Sequence, residues 1–175
     1  MNSTMIERVL RVKLMIFDVD GVLTDGSIYM NEQGEETRAF NVLDGQGLKM
    51  LSASGVHLAA ISSRVSKAVA IRAADTGITH VFQGVDDKLD VFQELLATLG
   101  LTREQAGYMG DDIIDIPIMR RCGLSVAVPS SPSIIRETAH YVTTLNGGRG
   151  AVREACEFIM QIQGTYDRQL ARYLA

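Results

Sequence analysis

One stretch constrains this chain more than any other: Leu14-Met15-Ile16-Phe17-Asp18-Val19-Asp20-Gly21, an apolar run that stops at two carboxylates one residue apart, with glycine next. Continuous apolarity rich in Ile, Val and Phe predicts a strand buried on both faces, as in a parallel sheet. Open parallel sheets take their ligands beyond the carboxyl ends of the strands. Asp18 and Asp20 stand at that place. Unpaired carboxylates there are costly to desolvate, so the pair wants a cation. The plainer reading is a strand-end turn in which an Asp side chain accepts from its own backbone.

The remainder of the chain alternates strand and helix. Ser27–Met30 and Thr37–Asn41 flank Asn31-Glu32-Gln33-Gly34-Glu35, two short β-prone runs around a glycine-containing turn, and predict a hairpin over the active-site edge. Asp44-Gly45-Gln46-Gly47 opens a helix to about Ser54, and Val56–Ile61 is a buried strand ending in Ser62-Ser63-Arg64. Val65–Asp75 is helical by its apolar spacing, His80–Phe82 is a short strand, and Asp86–Leu99 is an amphipathic helix. Ala106–Met109 then runs into Gly110-Asp111-Asp112, before a helix capped by Asp115 with Pro117 in its first turn. Leu124–Val128 and His140–Val142 are strands around a brief helix at Ile134–Thr138; a last helix runs from Ala151 to about Gln161. The tail from Gly164 is polar, with no evident partner. The expected fold class is α/β, a doubly wound, Rossmann-like parallel sheet with right-handed crossovers and an inserted β-hairpin at about 27–41, in one domain over 1–175.

Charge and composition remove several functional classes. The net charge of −4, with no basic block, excludes a general affinity for nucleic acid or acidic membrane. No apolar run is long enough to span a bilayer, and Met1 to Lys13 lacks a signal-peptide core. Cys122 and Cys156 lack metal-ligand spacing and suit buried thiols in a reducing compartment, so the expected location is cytoplasmic.

In a parallel sheet the strand ends converge on one edge. That brings together Asp18 and Asp20, the hydroxyl of Ser62, Lys88 near a helix start, and Asp111 with Asp112. Hard carboxylate oxygens bind Mg²⁺, and a cation with a lysine neutralises phosphate oxygens as charge shifts in the transition state. One carboxylate can attack phosphorus, and a second can protonate the leaving oxygen and then activate water. Each residue has a structural alternative: Ser62 as a helix N-cap, Lys88 as a solvated helix residue, Asp111-Asp112 as turn and cap, Arg149 as a loop charge. His57, His80 and His140 lie in or beside apolar strands and read as structural.

These residues, in this order, resemble the haloacid dehalogenase superfamily of phosphotransferases. Asp18-Val19-Asp20-Gly21-Val22 is similar to its first motif, Ser62 to its second, Lys88 to its third and Gly110-Asp111-Asp112-Ile113-Ile114-Asp115 to its fourth. Gly21-Val22-Leu23-Thr24-Asp25-Gly26, Phe40-Asn41-Val42-Leu43-Asp44-Gly45-Gln46-Gly47 and Gly147-Gly148-Arg149-Gly150-Ala151-Val152-Arg153-Glu154 further resemble its small capless branch acting on 3-deoxy-D-manno-octulosonate 8-phosphate. Where that branch usually reads Thr-Gly-Arg, this chain has Ser62-Ser63-Arg64; serine keeps the hydroxyl, but Ser63 lacks glycine's backbone freedom.

The resemblance implies Asp18 as nucleophile and Asp20 as general acid/base. It implies Mg²⁺ on Asp18, the Asp20 backbone carbonyl and Asp111, with Asp112 or Asp115 in support, and Ser62 and Lys88 on the phosphate. Arg64 and Arg149 are the remaining cations for a sugar-acid carboxylate, with Ser63 between Ser62 and Arg64. It further implies a homotetramer serving lipopolysaccharide synthesis. The nearest rival substrate is a nine-carbon sialic-acid-type 9-phosphate. A receiver domain also gathers acids and a lysine on a parallel sheet, but does not explain Asp20-Gly21 or the hairpin. A non-catalytic homologue is opposed by the presence of all four charged motif positions.

Overall fold

The computed structural model describes residues 3–174; Met1, Asn2 and Ala175 lie outside the described residues. Leu14–Phe17 (β1) has no solvent exposure at any of its four residues and is the middle of the fold. Before it stands the helix Ser3–Leu10 (α1). After it come the antiparallel hairpin strands Tyr29–Met30 (β2) and Glu36–Thr37 (β3), then Val42–Ala53 (α2), His57–Ile61 (β4) and Lys67–Thr76 (α3). His80–Phe82 (β5), Lys88–Leu99 (α4), Ala106–Met109 (β6), Ile116–Met119 (α5), Leu124–Ala127 (β7), Ser133–Thr138 (α6), Tyr141–Val142 (β8), Ala151–Ile162 (α7) and Tyr166–Leu170 (α8) complete the chain.

The main sheet has the order β5-β4-β1-β6-β7-β8, and every pairing in it is parallel. Strand order moves outward from β1 in one direction and then reverses to continue from β6. The switch point therefore lies at β1 and β6, where a doubly wound sheet opens its ligand crevice. Alternate residues of β1 serve opposite layers. Met15 and Phe17 pack with Leu48 and Leu51 of α2, Val69 of α3 and Val152 and Ile159 of α7. Leu14 and Ile16 face Phe92 and Leu96 of α4, Ile118 of α5 and Ile135 of α6.

The expected fold class is the one observed, hairpin included. The second hairpin strand is Glu36–Thr37, where the sequence predicts Thr37–Asn41, because the chain leaves the ribbon at Arg38, whose side chain turns to Asp20. Three further local assignments differ. Helix α2 starts earlier than Asp44, because Asn41 is its cap: Oδ1 accepts from the Leu43 and Asp44 amides at 2.8 and 3.3 Å. Asp115 precedes α5 but makes no side-chain cap there, since its carboxylate is turned into the interior. The tail from Gly164 folds onto its own chain, with buried Gln169 of α8 donating to the Ala53 carbonyl at 3.3 Å.

Candidate active site

Phe17 pairs in register with Ala60 of β4 and Met109 of β6. Beyond that register β1 and β6 run straight into Asp18 and Gly110-Asp111, and β4 reaches Ser62 after Ile61, so three separate stretches of sequence arrive at one end of the sheet. The Asp18 amide donates to the Met109 carbonyl at 2.9 Å and holds β1 to β6 past the strand end. The chain then turns sharply at Gly21, whose φ of +94° is left-handed and whose added Cβ would lie 2.0 Å from Asp111 Oδ2. Only glycine lets the first loop approach the second acid so closely.

Lys88, the first residue of α4, is buried with its Nζ 2.8 Å from Asp18 Oδ1 and 2.8 Å from Asp115 Oδ1. Burial opposes its charge, yet Asp18 and Asp115 outweigh that and hold the ammonium above its ordinary pKa. Asp115 is saturated. Its Oδ1 also accepts from the Tyr108 hydroxyl at 2.7 Å, and Oδ2 accepts from the Asp111 and Asp112 amides at 3.0 and 3.2 Å. Burial, then the charge of Asp115, pushes Asp18 up to about 6 against the pull of Lys88. Burial, then Asp18 and Asp115, pushes Asp111 up to about 8. One lysine does not neutralise this much buried acid.

Asp18, Asp20, Ser62, Ser63, Arg64, Lys88 and Asp111 line one cleft of about 270 Å³, together with Asp112, Ile114 and Gly26. Every site residue expected from the sequence is brought there except Arg149. That side chain pairs with Asp25 at 2.9 Å and is exposed outside the cleft. Ser62 is no N-cap; Ser66 holds that position for α3, and the Ser62 hydroxyl instead accepts from the Arg64 amide at 3.1 Å. Ser63 is exposed and, like every non-glycine among the described residues, has negative φ, so glycine's freedom is not required there. Arg64 pairs with Glu36 of β3. Beside β3, Arg38 reaches in and its Nε donates to Asp20 Oδ1 at 2.9 Å.

A family profile described as haloacid dehalogenase-like hydrolase matches residues 58–155. The chain is 51% identical over 158 residues to 3-deoxy-D-manno-octulosonate 8-phosphate phosphatase of Yersinia pestis, covering 90% of this chain and 84% of that protein. Against the enzyme of the same name from Escherichia coli the identity is 45% over 166 residues, covering 95% and 88%. The chain belongs to the 3-deoxy-D-manno-octulosonate 8-phosphate phosphatase family. A crystal structure of the Moraxella catarrhalis phosphatase of that name, in complex with magnesium ion, phosphate ion and its sugar acid, superposes with a TM-score of 0.94 at 41% identity and covers 97% of both chains.

A divalent cation fits the residues of this family member. Asp18, Asp111 and Asp115 bring carboxylate oxygens within 4.8 Å of one another. Asp111 Oδ1 is buried with no hydrogen-bond partner, a costly arrangement that a hard cation would relieve. With all the Asp115 bonds directed to protein donors, Asp18 and Asp111 are the carboxylates left to ligate. Sequence reasoning missed Arg38, Glu36 and Tyr108. Nothing in the spacing of a hairpin cation pairs it with an acid at the end of β1, and Tyr108 reads as one more apolar residue of a buried strand.

Proposed function

We propose that this chain hydrolyses 3-deoxy-D-manno-octulosonate 8-phosphate to the free sugar acid and phosphate, with Mg²⁺, through a phosphorylated Asp18. The observation that carries the reading is the buried Asp18–Lys88–Asp115 cluster with Asp111 beside it, in one cleft with Ser62. Family membership supplies the substrate class.

In this reading Asp18 attacks phosphorus while the Ser62 hydroxyl and Lys88 ammonium hold phosphate oxygens. Asp20 gives its proton to the departing sugar oxygen, then takes one from the water that frees Asp18. Mg²⁺ held by Asp18, Asp111 and the Asp20 carbonyl supplies neutralising charge at the phosphoryl group. Asp115 keeps Lys88 and the Asp111 loop in place. Arg64 is the cation for the substrate carboxylate, and Lys67 lines an adjoining cleft with Arg64 and Arg38. The exposed Arg149 pairs with Asp25, a placement that favours loop-bracing over contact with substrate.

The protein acts as a cytoplasmic homotetramer in lipopolysaccharide synthesis. Free, buried Cys122 and Cys156 suit the reducing compartment. The exposed apolar side chains of the hairpin suit self-association, since a two-stranded ribbon is marginal alone. Phosphate release from the eight-carbon and nine-carbon sugar-acid phosphates, measured side by side with Mg²⁺ and with chelator, tests the reading. The expected result is Mg²⁺-dependent preference for the eight-carbon ester. A nine-carbon preference, or undiminished release in excess chelator, overturns it.

A further inference from the structure

Asp20 stands at the mouth of an acid-rich cleft, yet its partner comes from outside the sheet. Arg38 holds Asp20 Oδ1 through Nε at 2.9 Å, with the arginine side chain 4% exposed against 24% for the aspartate. The same guanidinium approaches Glu36 through Nη2 at 3.4 Å, and Glu36 also pairs with Arg64. The chain of charges is thus Asp20, Arg38, Glu36, Arg64, alternating in sign and running from β1 into the hairpin. A desolvated arginine is costly unless paired, so this guanidinium is committed to its carboxylates. Its planar fork also fixes the direction of each bond, as a lysine would not. Asp20 Oδ2 accepts no hydrogen bond among the described residues.

We infer that Arg38 is a positioning residue for hydrolysis: by holding Asp20 Oδ1 from the hairpin, it leaves Oδ2 as the oxygen that exchanges protons at the phosphorus. The inference rests on the reading of Asp20 as general acid/base. In the first half-reaction Asp18 bonds to phosphorus, the bond from phosphorus to the sugar oxygen breaks, and that oxygen takes both the electron pair and the Oδ2 proton. In the second, water gives a proton back to Oδ2 and bonds to phosphorus, and the bond to Asp18 breaks with its electron pair returning to Asp18. The Asp20 carboxyl must keep one orientation through both transfers. Arg38 supplies that orientation, and Glu36 orients Arg38.

The test separates orientation of the acid from general structure by leaving group. A p-nitrophenolate departs without a proton, whereas a sugar alkoxide needs one. In Arg38→Ala, kcat/KM for the octulosonate ester should fall by about 10²-fold, the scale of a misplaced catalytic group. With p-nitrophenyl phosphate it should change less than about threefold, while a burst of p-nitrophenolate appears because water activation has slowed. Arg38→Lys should recover part of the loss on the sugar ester. In an Asp20→Asn background, adding Arg38→Ala should cost nothing further, since a residue acting only through Asp20 has nothing left to orient. Equal losses on both esters, or additive losses in the double variant, overturn the inference while leaving the phosphatase reading intact. Full activity of Asp20→Asn on the sugar ester instead overturns the acid/base reading, and the inference with it.

Discussion

Asp115 shows how one side chain organises a site it does not enter. Its four hydrogen bonds, from Lys88, Tyr108 and the Asp111 and Asp112 amides, tie α4, β6 and the following loop to one carboxylate. Asp115→Ala leaves the buried Tyr108 hydroxyl unpaired and Lys88 with Asp18 as its single carboxylate partner. Leaving a buried polar group unsatisfied costs about 1–3 kcal/mol, to be read as a lowered denaturant midpoint. Loss of ligand support should also weaken Mg²⁺ by about 10–100-fold, measured by titration calorimetry. A stable variant with unchanged Mg²⁺ affinity would remove Asp115 from this role. Proton linkage gives a second test. Burial and neighbouring acids raise Asp18 to about 6 and Asp111 to about 8 in the cation-free chain, so protons compete with Mg²⁺ across that range. A cation favours the ionised forms; affinity should therefore tighten as pH rises from 6 to 8, by up to about tenfold per unit for each proton displaced. Affinity flat over those two units would contradict the assignment of these acids as ligands. The acids themselves were legible in the sequence because buried strands have no structural use for charge at their ends. Arg38 was not, because its partner lies 18 positions away across a turn, where no periodicity connects the two.

At the level of elements, strands β1, β4, β5 and β6 were readable from apolar continuity alone, and helix ends were less so. The start of α2 depended on which polar residue capped it, and Asn41 competes for that role with Asp44, whose carboxylate instead accepts from the Gly150 and Arg153 amides at 3.3 and 2.8 Å. That contact docks the start of α7 on α2 and explains a buried acid outside the cleft. The glycine run before α7 has a related purpose. The Gly148 amide donates to the Val22 carbonyl at 3.0 Å, and a Cβ on Gly147 would lie 1.7 Å from the Gly21 carbonyl oxygen. The loop before α7 therefore braces the loop that carries Asp20, which accounts for Arg149 reaching Asp25 and not the cleft. Gly147→Ala must push the two loops apart. Overpacking of this kind costs about 1–3 kcal/mol, visible as a lowered Tm, and kcat should fall because the Asp20 loop shifts. An unchanged Tm and kcat in Gly147→Ala would show that the loops do not brace each other.

Across the whole molecule, the hairpin is the part least explained by its own chain. Its strands are two residues each, all exposed, and among the described residues its ion pairs to the rest of the fold are Arg38 to Asp20 and Glu36 to Arg64, with Phe40 and Asn41 anchoring the segment where it joins α2. Ile28, Tyr29 and Met30 project apolar surface into water, as do Val42 and Leu43 where the segment joins α2. A ribbon so short is marginal without a partner, and contiguous exposed apolar surface marks an association face. If copies of the chain supply that partner, assembly and acid/base positioning share one element, because the residues that meet a neighbour precede Arg38 on the same ribbon. Closed symmetry is the usual outcome of such self-association. Tyr29→Asp with Met30→Asp places desolvated charge in that face, so light scattering should report smaller species than the tetramer expected of the parent. The kinetic consequence is specific. Loosening the hairpin should lower kcat/KM for the sugar ester while sparing p-nitrophenyl phosphate, the same leaving-group signature as Arg38→Ala, though the guanidinium is untouched. A parent that is monomeric and fully active at micromolar concentration would refute the assembly. A dissociated variant with unchanged kcat/KM for the sugar ester would show that the hairpin orients Asp20 without help from a neighbour.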